Sequence, residues 1–305
     1  MPNKFLPRLS AALAALLIAN AAPAAAALKV FACEPEWGAL AQEIGGDKVD
    51  VYTATTALQD PHQIQARPSL IARVRNADML VCTGAELEIG WLPLLMRETG
   101  NARIQTGQPG NFAAADYVHM LEVPAKLDRS EGDVHPFGNP HIQTDPRNIA
   151  RVADALAQRL AQLDQADAAY FEARHSDFIK RWNVALQRWE QQAAPLKGVA
   201  IVSQHKAWSY LEDWLGMKEV AVLEPKPGIP PSSSYLAEVL DHLKHQPAKM
   251  VIRAAYQEGR PSEWLAQRAH IPAVELPFTV GGDAQAKDLF GLYEDTVQRL
   301  LKANQ

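Results

Sequence analysis

This sequence predicts an α/β protein of two lobes, each built on a parallel sheet, joined by a long rigid linking helix. Three observations carry that expectation. Apolar strand-like runs alternate with helical stretches over residues 28–83. Helical periodicity then occupies residues 145–194. The β/α alternation resumes after Pro195 and continues to the end of the chain. Strands that alternate with helices at this spacing form parallel sheets through helical crossovers.

In chain order, the first strand is read at 28–33, a helix at 36–45 ending on Gly45-Gly46, and a second strand at 49–53. A short helix opened by Pro68 runs to Asn76, and a third strand covers 78–83. Pro fits a first helical turn because its missing N–H is not needed there. Asp145-Pro146 opens a helix for the same reason, with Ile149, Val152, Leu156, Leu160 and Leu163 at helical spacing. Residues 165–194 carry Tyr170, Phe171, Phe178, Trp182, Leu186 and Trp189 on a recurring face, which reads as core packing. About 30 helical residues span about 45 Å, long enough to act as a spine between lobes. Strands at 199–202, 219–223, 249–254 and 273–276 then alternate with helices at 207–215, 232–245, 261–268 and 286–301. The expected divisions are residues 1–27, 28–164, 165–195 and 196–305.

Residues 1–27 have the pattern of a secretory signal peptide: Lys4 and Arg8, an apolar run over 11–22, and A-x-A choices around Ala24 to Ala26. The apolar run is too short for a membrane span, which needs about 20 residues. No Cys stands at the cleavage point, so a lipid-anchored form is not expected. For a Gram-negative source this places the mature chain in the periplasm. Removing the leader leaves about 278 residues, enough for two substantial cores. The formal net charge of −5 argues against nucleic acid as a partner. Cys33 and Cys82 each end a predicted strand. If those strands are neighbours, a disulfide is one outcome and a pair of buried thiols the other.

Three histidines each sit in a short polar turn read as directly following a strand: His62 in Gln59-Asp60-Pro61-His62, His141 in Gly138-Asn139-Pro140-His141, and His205 in Ser203-Gln204-His205. Neutral imidazole is a common ligand for zinc and similar metals. Ligands far apart in sequence meet where strand ends converge, in the crevice beyond the carboxyl ends of a parallel sheet. His119, His175, His242, His245 and His270 lack such a setting and are read as structural or solvated.

Several ordered motifs share a family pattern. They are Asp60-Pro61-His62, Arg67-Pro68-Ser69, 77–81 with 83–88 and Trp91, and Asn139-Pro140-His141 leading to Asp145-Pro146. His205 with Trp208 and Tyr210, and Glu224-Pro225 with Pro230-Pro231-Ser232, complete the set. Together they resemble the metal-binding subunits of bacterial zinc and manganese ABC importers, the cluster A-I solute-binding proteins. The resemblance covers nearly the whole mature chain. It implies a rigid two-lobed protein that holds metal between its lobes, with His62 and His141 from the first lobe and His205 from the second. A histidine at the third position points to zinc, as imidazole-rich sites do generally, whereas oxygen-rich sites suit manganese.

On that resemblance the chain is a monomeric periplasmic carrier. It takes up Zn2+ as its transported ligand and delivers it to a membrane permease, and a metallochaperone is a further candidate partner. The sequence departs from the pattern in three places. The family's fourth ligand, an Asp after the last strand, aligns with Pro277 or Val280, so Asp283 in the Gly281-Gly282-Asp283 turn, or water, is left to complete the shell. Only Asp133 and His135 stand where zinc members often carry a long His-rich loop, and His135 is an auxiliary-ligand candidate. Glu34 ends the first strand and is a candidate to orient a ligand histidine. The competing functions are a carrier of manganese, iron or a metal chelate, a zinc hydrolase, and an adhesin. No H-E-x-x-H helix supports the hydrolase, and no repeat or surface anchor supports the adhesin.

Overall fold

The computed structural model describes residues 26–126, 132 and 135–305. Apart from its last two residues, the leader lies outside these, as does Asp133. The N-terminal sheet runs β2-β1-β3-β4, all parallel, with β1 at Leu28–Ala32, β2 at Val49–Thr53, β3 at Met79–Cys82 and β4 at Asn111–Ala113. The C-terminal sheet repeats this arrangement as β6-β5-β7-β8, with β5 at Ala200–Ser203, β6 at Lys218–Val222, β7 at Met250–Ala254 and β8 at Ala273–Leu276. In each lobe the strand order reverses beside the first strand. The carboxyl ends of β1 and β3, and of β5 and β7, are therefore the switch points where such sheets place ligands.

The helices follow the turn chemistry of the sequence. Helix α1 (Pro35–Gly45) and α2 (Pro68–Asn76) both begin at proline. Helix α3 (Leu92–Thr99) was not expected, nor was β4. Each is short and buries a single side chain, Leu95 and Phe112 respectively, so neither carries a legible period. Helix α4 (Pro146–Leu163) is capped by Asp145, whose carboxylate accepts from the Arg147 N–H at 2.7 Å. Its buried stripe of Ile149, Val152, Leu156 and Leu160 matches the expected face.

The linking helix α5 (Ala168–Ala193) has 26 residues, about 39 Å at 1.5 Å per residue. It begins three residues later than the periodicity suggests. Residues Gln165–Asp167 wind as a separate tight turn, in which the Asp164 carboxylate accepts from the Asp167 N–H. Helices α6 (Ser209–Leu215), α7 (Ser233–His242), α8 (Arg260–Ala269) and α9 (Leu289–Ala303) complete the second lobe. Among the described residues no helix is long and apolar enough to cross a membrane.

The largest apolar cluster runs through both lobes, and each lobe adds a smaller one of its own. A single cluster takes in Trp37 and Ile149 of the first lobe, Trp182 and Trp189 of α5, and Ile201 and Tyr293 of the second. The Trp182 ring lies 4.9 Å from Phe290 and 5.4 Å from Tyr293, across the spine. Its indole donates to the Pro146 carbonyl at 2.9 Å, tying α5 to the start of α4. Cys33 and Cys82, at the ends of the paired strands β1 and β3, are joined as a disulfide with Cα atoms 4.8 Å apart. Of the two outcomes the sequence left open, the adjacency of β1 and β3 selects the bond.

Candidate metal centre

His62, His141 and His205 converge in the cleft between the sheets. One nitrogen from each lies within 4.8 Å of the others. Ring centroids are 5.2 Å apart for His62 and His141, 5.3 Å for His141 and His205, and 5.7 Å for His62 and His205. The Nε2 atoms of His141 and His205 face each other at 3.3 Å, and the buried Nε2 of His62 has no hydrogen-bond partner. Three imidazole lone pairs aimed at one point are the donor set of a metal site.

His205 follows β5 by two residues, as expected of a switch-point loop. His62 lies on a longer loop after β2, nine residues beyond the strand. His141 differs from the sequence reading: it comes not directly after a strand but at the end of a long segment, just ahead of α4.

Local contacts fix each ring. The Asp60 carboxylate accepts from the His62 backbone N–H at 3.0 Å and meets its Nδ1 at 2.8 Å. Trp91 donates to the Pro61 carbonyl at 2.9 Å and holds the loop down. The Glu224 carboxylate meets His205 Nδ1 at 2.7 Å and also accepts from the Gly228 N–H. These two carboxylates set the tautomers so that both Nε2 atoms point inward. Burial opposes ionisation of Asp60, but its bonds with His62 hold the carboxyl below the ordinary range. Neither orienting acid was singled out from the sequence, although the Asp-Pro-His spacing is the local signal for the first. Glu34 does not take that role. It is buried against Thr83 and Glu88, away from the imidazoles.

Asn139 locks the third ring. Its side-chain carbonyl accepts from the His141 N–H at 3.0 Å. Its amide donates to the Lys206 carbonyl at 2.9 Å, and its backbone carbonyl accepts from the Tyr210 hydroxyl at 2.8 Å. The Asn-Pro-His segment thus bridges the lobes as well as presenting His141. Burial, and then the nearby imidazoles His62 and His205, push the His141 ring well down from its ordinary value, so it stands neutral. The same causes push His135 down to about 4. His135 lines a cavity of about 370 Å3 together with Asn139, His141 and His205.

Asp283 is not brought into the cluster. Its carboxylate accepts from the Gln285 and Ala286 N–H groups at 2.7 and 2.8 Å and pairs with Arg299 at 2.6 Å. The side chain that meets the histidines from beyond β8 is Phe278. It is buried, with its ring 5.5 Å from His141 and 5.4 Å from both Trp208 and Tyr256. A second grouping, Cys33, Cys82 and Glu88, offers no thiolate because the sulfurs are bonded to each other.

A buried acid cluster fills the switch point of the first lobe; of its members only Glu34 was a candidate from the sequence, and in a different role. Glu34, Glu36 and Glu88 are each at most 3% exposed. Burial and the neighbouring Glu88 and Glu36 charges push Glu34 well up, so it keeps its proton. Burial raises Glu36 to about 7, against the Thr279 hydroxyl that donates to it from the other lobe. A carboxyl whose folded value lies above its unfolded one stabilises most below about 4.5, and that contribution is lost as pH rises through 7. Glu36→Gln is therefore expected to flatten the fall in Tm of metal-free protein between pH 5.5 and 8. An unchanged slope by calorimetry would show that Glu36 does not ionise in this window.

A two-lobed parallel α/β protein with a candidate metal site in the interlobe cleft has the architecture of a solute-binding protein. This chain belongs to the family described as zinc-uptake complex component A, periplasmic, whose model matches residues 30–303. It is 24% identical over 232 residues to the zinc-binding lipoprotein AdcA of Streptococcus pneumoniae serotype 4, covering 74% of this chain and 44% of that one. The chain thus spans less than half the length of AdcA. It is 21% identical over 267 residues to the manganese ABC transporter substrate-binding lipoprotein PsaA of Streptococcus mitis, covering 86% and 83%. A crystal structure of ZnuA superposes with a TM-score of 0.75 at 22% identity, covering 92% of this chain and 100% of the other, which establishes the shared fold.

Proposed function

We propose that this protein is a periplasmic solute-binding protein that captures a divalent metal, zinc in preference to manganese or iron, and delivers it to an ABC permease. The observation that carries the reading is the convergence of the His62, His141 and His205 imidazoles, with the Nδ1 atoms of His62 and His205 held by Asp60 and Glu224. An all-imidazole donor set favours zinc, while manganese is better served by oxygen. The zinc is cargo. Asp60 and Glu224 are spent on orienting rings, which leaves neither in the position of a general base and favours a carrier over a hydrolase. The leader motif supports export, and membership of the zinc-uptake family supports the permease as partner.

The test is competitive titration of the purified metal-free protein with zinc, manganese and iron(II), using a fluorescent chelator. One zinc per chain, bound in preference to both other ions, is expected. Asp283→Ala is expected to bind zinc normally, because that carboxylate is already committed to Arg299. Tighter binding of manganese than zinc would overturn the metal assignment.

A further inference from the structure

The carboxyl ends of β1 and β3 hold a second set of metal-ligating side chains, apart from the interlobe histidines. The sulfurs of Cys33 and Cys82 and one carboxylate oxygen of Glu88 lie within 4.8 Å of one another, and all three residues are buried. Joined as a disulfide, the sulfurs ligate nothing. We propose that reduction of the Cys33–Cys82 bond opens a second metal site in the first lobe, in which the two thiolates and the Glu88 carboxylate hold a thiophilic divalent ion such as zinc or cadmium.

The backbone keeps these groups together without the S–S bond. The Cys33 N–H donates to the Val81 carbonyl at 2.9 Å, continuing the pairing of β1 with β3. Glu88 is fixed by the turn after β3, where its carboxylate accepts from the Thr83 N–H at 2.8 Å and the Gly84 N–H at 3.1 Å. Burial raises Glu88 to about 7, while bonds from Glu34 and from these N–H groups work the other way. The charges that bear on Glu34 are those of Glu88 and Glu36, both negative, and among the described residues no donor reaches its buried Oε1. Buried negative charge is costly unless it is paired or coordinates a metal, and a divalent ion at the thiolates would supply the counter-charge. Thiolates are soft donors that suit zinc and heavier thiophilic ions.

The bond is also within reach. A cavity of about 590 Å3 is lined by Cys82 and Glu88, together with Gly84, Leu92, Met96 and Phe112. A dithiol that enters it meets Cys82. Its thiolate attacks Cys82 Sγ, and Cys33 leaves as a thiolate. The second thiol of the reductant then attacks its own sulfur in the mixed disulfide, which frees Cys82 and closes the reductant into a cyclic disulfide. The dithiol is oxidised, the two cysteines gain its two electrons and two protons, and those protons are released when the ion binds.

Cadmium(II) serves as the probe. Wild-type protein is reduced with excess dithiothreitol, desalted without oxygen, and compared with the oxidised protein by metal analysis and ultraviolet absorption, with circular dichroism as the check on fold. The reduced form is expected to hold one more cadmium per chain than the oxidised form and to gain a cadmium–thiolate charge-transfer band. The interlobe histidines are present in both forms and cancel in the difference. Cys82→Ser should gain neither. Glu88→Gln should bind the added cadmium at least about tenfold more weakly, since losing even a group behind a ligand costs about 10–100-fold. That readout separates a built site from two thiols in a loosened chain, which would not sense Glu88. An equal cadmium count in the two forms, a disulfide that the dithiol does not reduce in the folded protein, or a Glu88→Gln variant that binds the extra ion as tightly as wild type would each overturn the proposal.

Discussion

His141→Ala is expected to abolish tight zinc binding while leaving the fold in place. His141 is 1% exposed, and its Nε2 lies 3.3 Å from that of His205, so its removal takes away the innermost donor. Structural zinc sites bind with about 10–16 kcal/mol, so one ligand of four carries about 3 kcal/mol, or roughly 100- to 1,000-fold in affinity. His62→Ala and His205→Ala should fall in the same range. Asp60→Asn and Glu224→Gln act one step further out and should cost about 10–100-fold. Competition titration beside far-UV circular dichroism checks each variant. A triple variant lacking His62, His141 and His205 that still bound zinc at full stoichiometry and affinity would refute the site.

Metal should also raise thermal stability as one cooperative transition. The candidate ligands come from both lobes, and the largest apolar cluster is continuous through α5, which couples the lobes on melting. A ligand bound only by the native state contributes RT ln(1 + [L]/Kd), about 4 kcal/mol at a thousand-fold excess over Kd. At about 2–4 °C per kcal/mol for a chain near this size, Tm should rise by roughly 8–16 °C and fall back on chelation. Lower pH should erode the gain, because protonated imidazole cannot ligate. Two separate transitions, or a Tm indifferent to zinc, would contradict this coupling. The same cluster argues against a wide hinge. Solution scattering of metal-free and zinc-loaded protein is expected to give nearly the same radius of gyration.

Much of this was legible in the chain. The β/α alternation, the Asp145-Pro146 helix start and the aromatic face of α5 are local patterns, and local sterics and hydrophobic period set them. The three histidines were legible as candidates because each sits in a polar turn among ordered motifs. Elements α3 and β4 were not, since each buries one side chain and leaves no period to read. The acid cluster was hidden for another reason. Glu34 and Glu36 look like ordinary acids at a helix start, and only the packing of β3 and of the Thr279 loop over them removes water.

The sequence by itself determined which residues are able to ligate a metal and which segments carry them. The tertiary structure decided the rest. His62 and His141 are 79 residues apart, and His141 and His205 are 64 apart. Their convergence depends on two switch points facing each other across the cleft. The same closure turns Asp283 onto Arg299, sets Phe278 against His141, places the Asp60 and Glu224 carboxylates on ring nitrogens, and brings His135 beside His62. Residue identity specifies donor chemistry, but coordination is a matter of distance and direction, and those exist only once the two lobes are packed on a common spine.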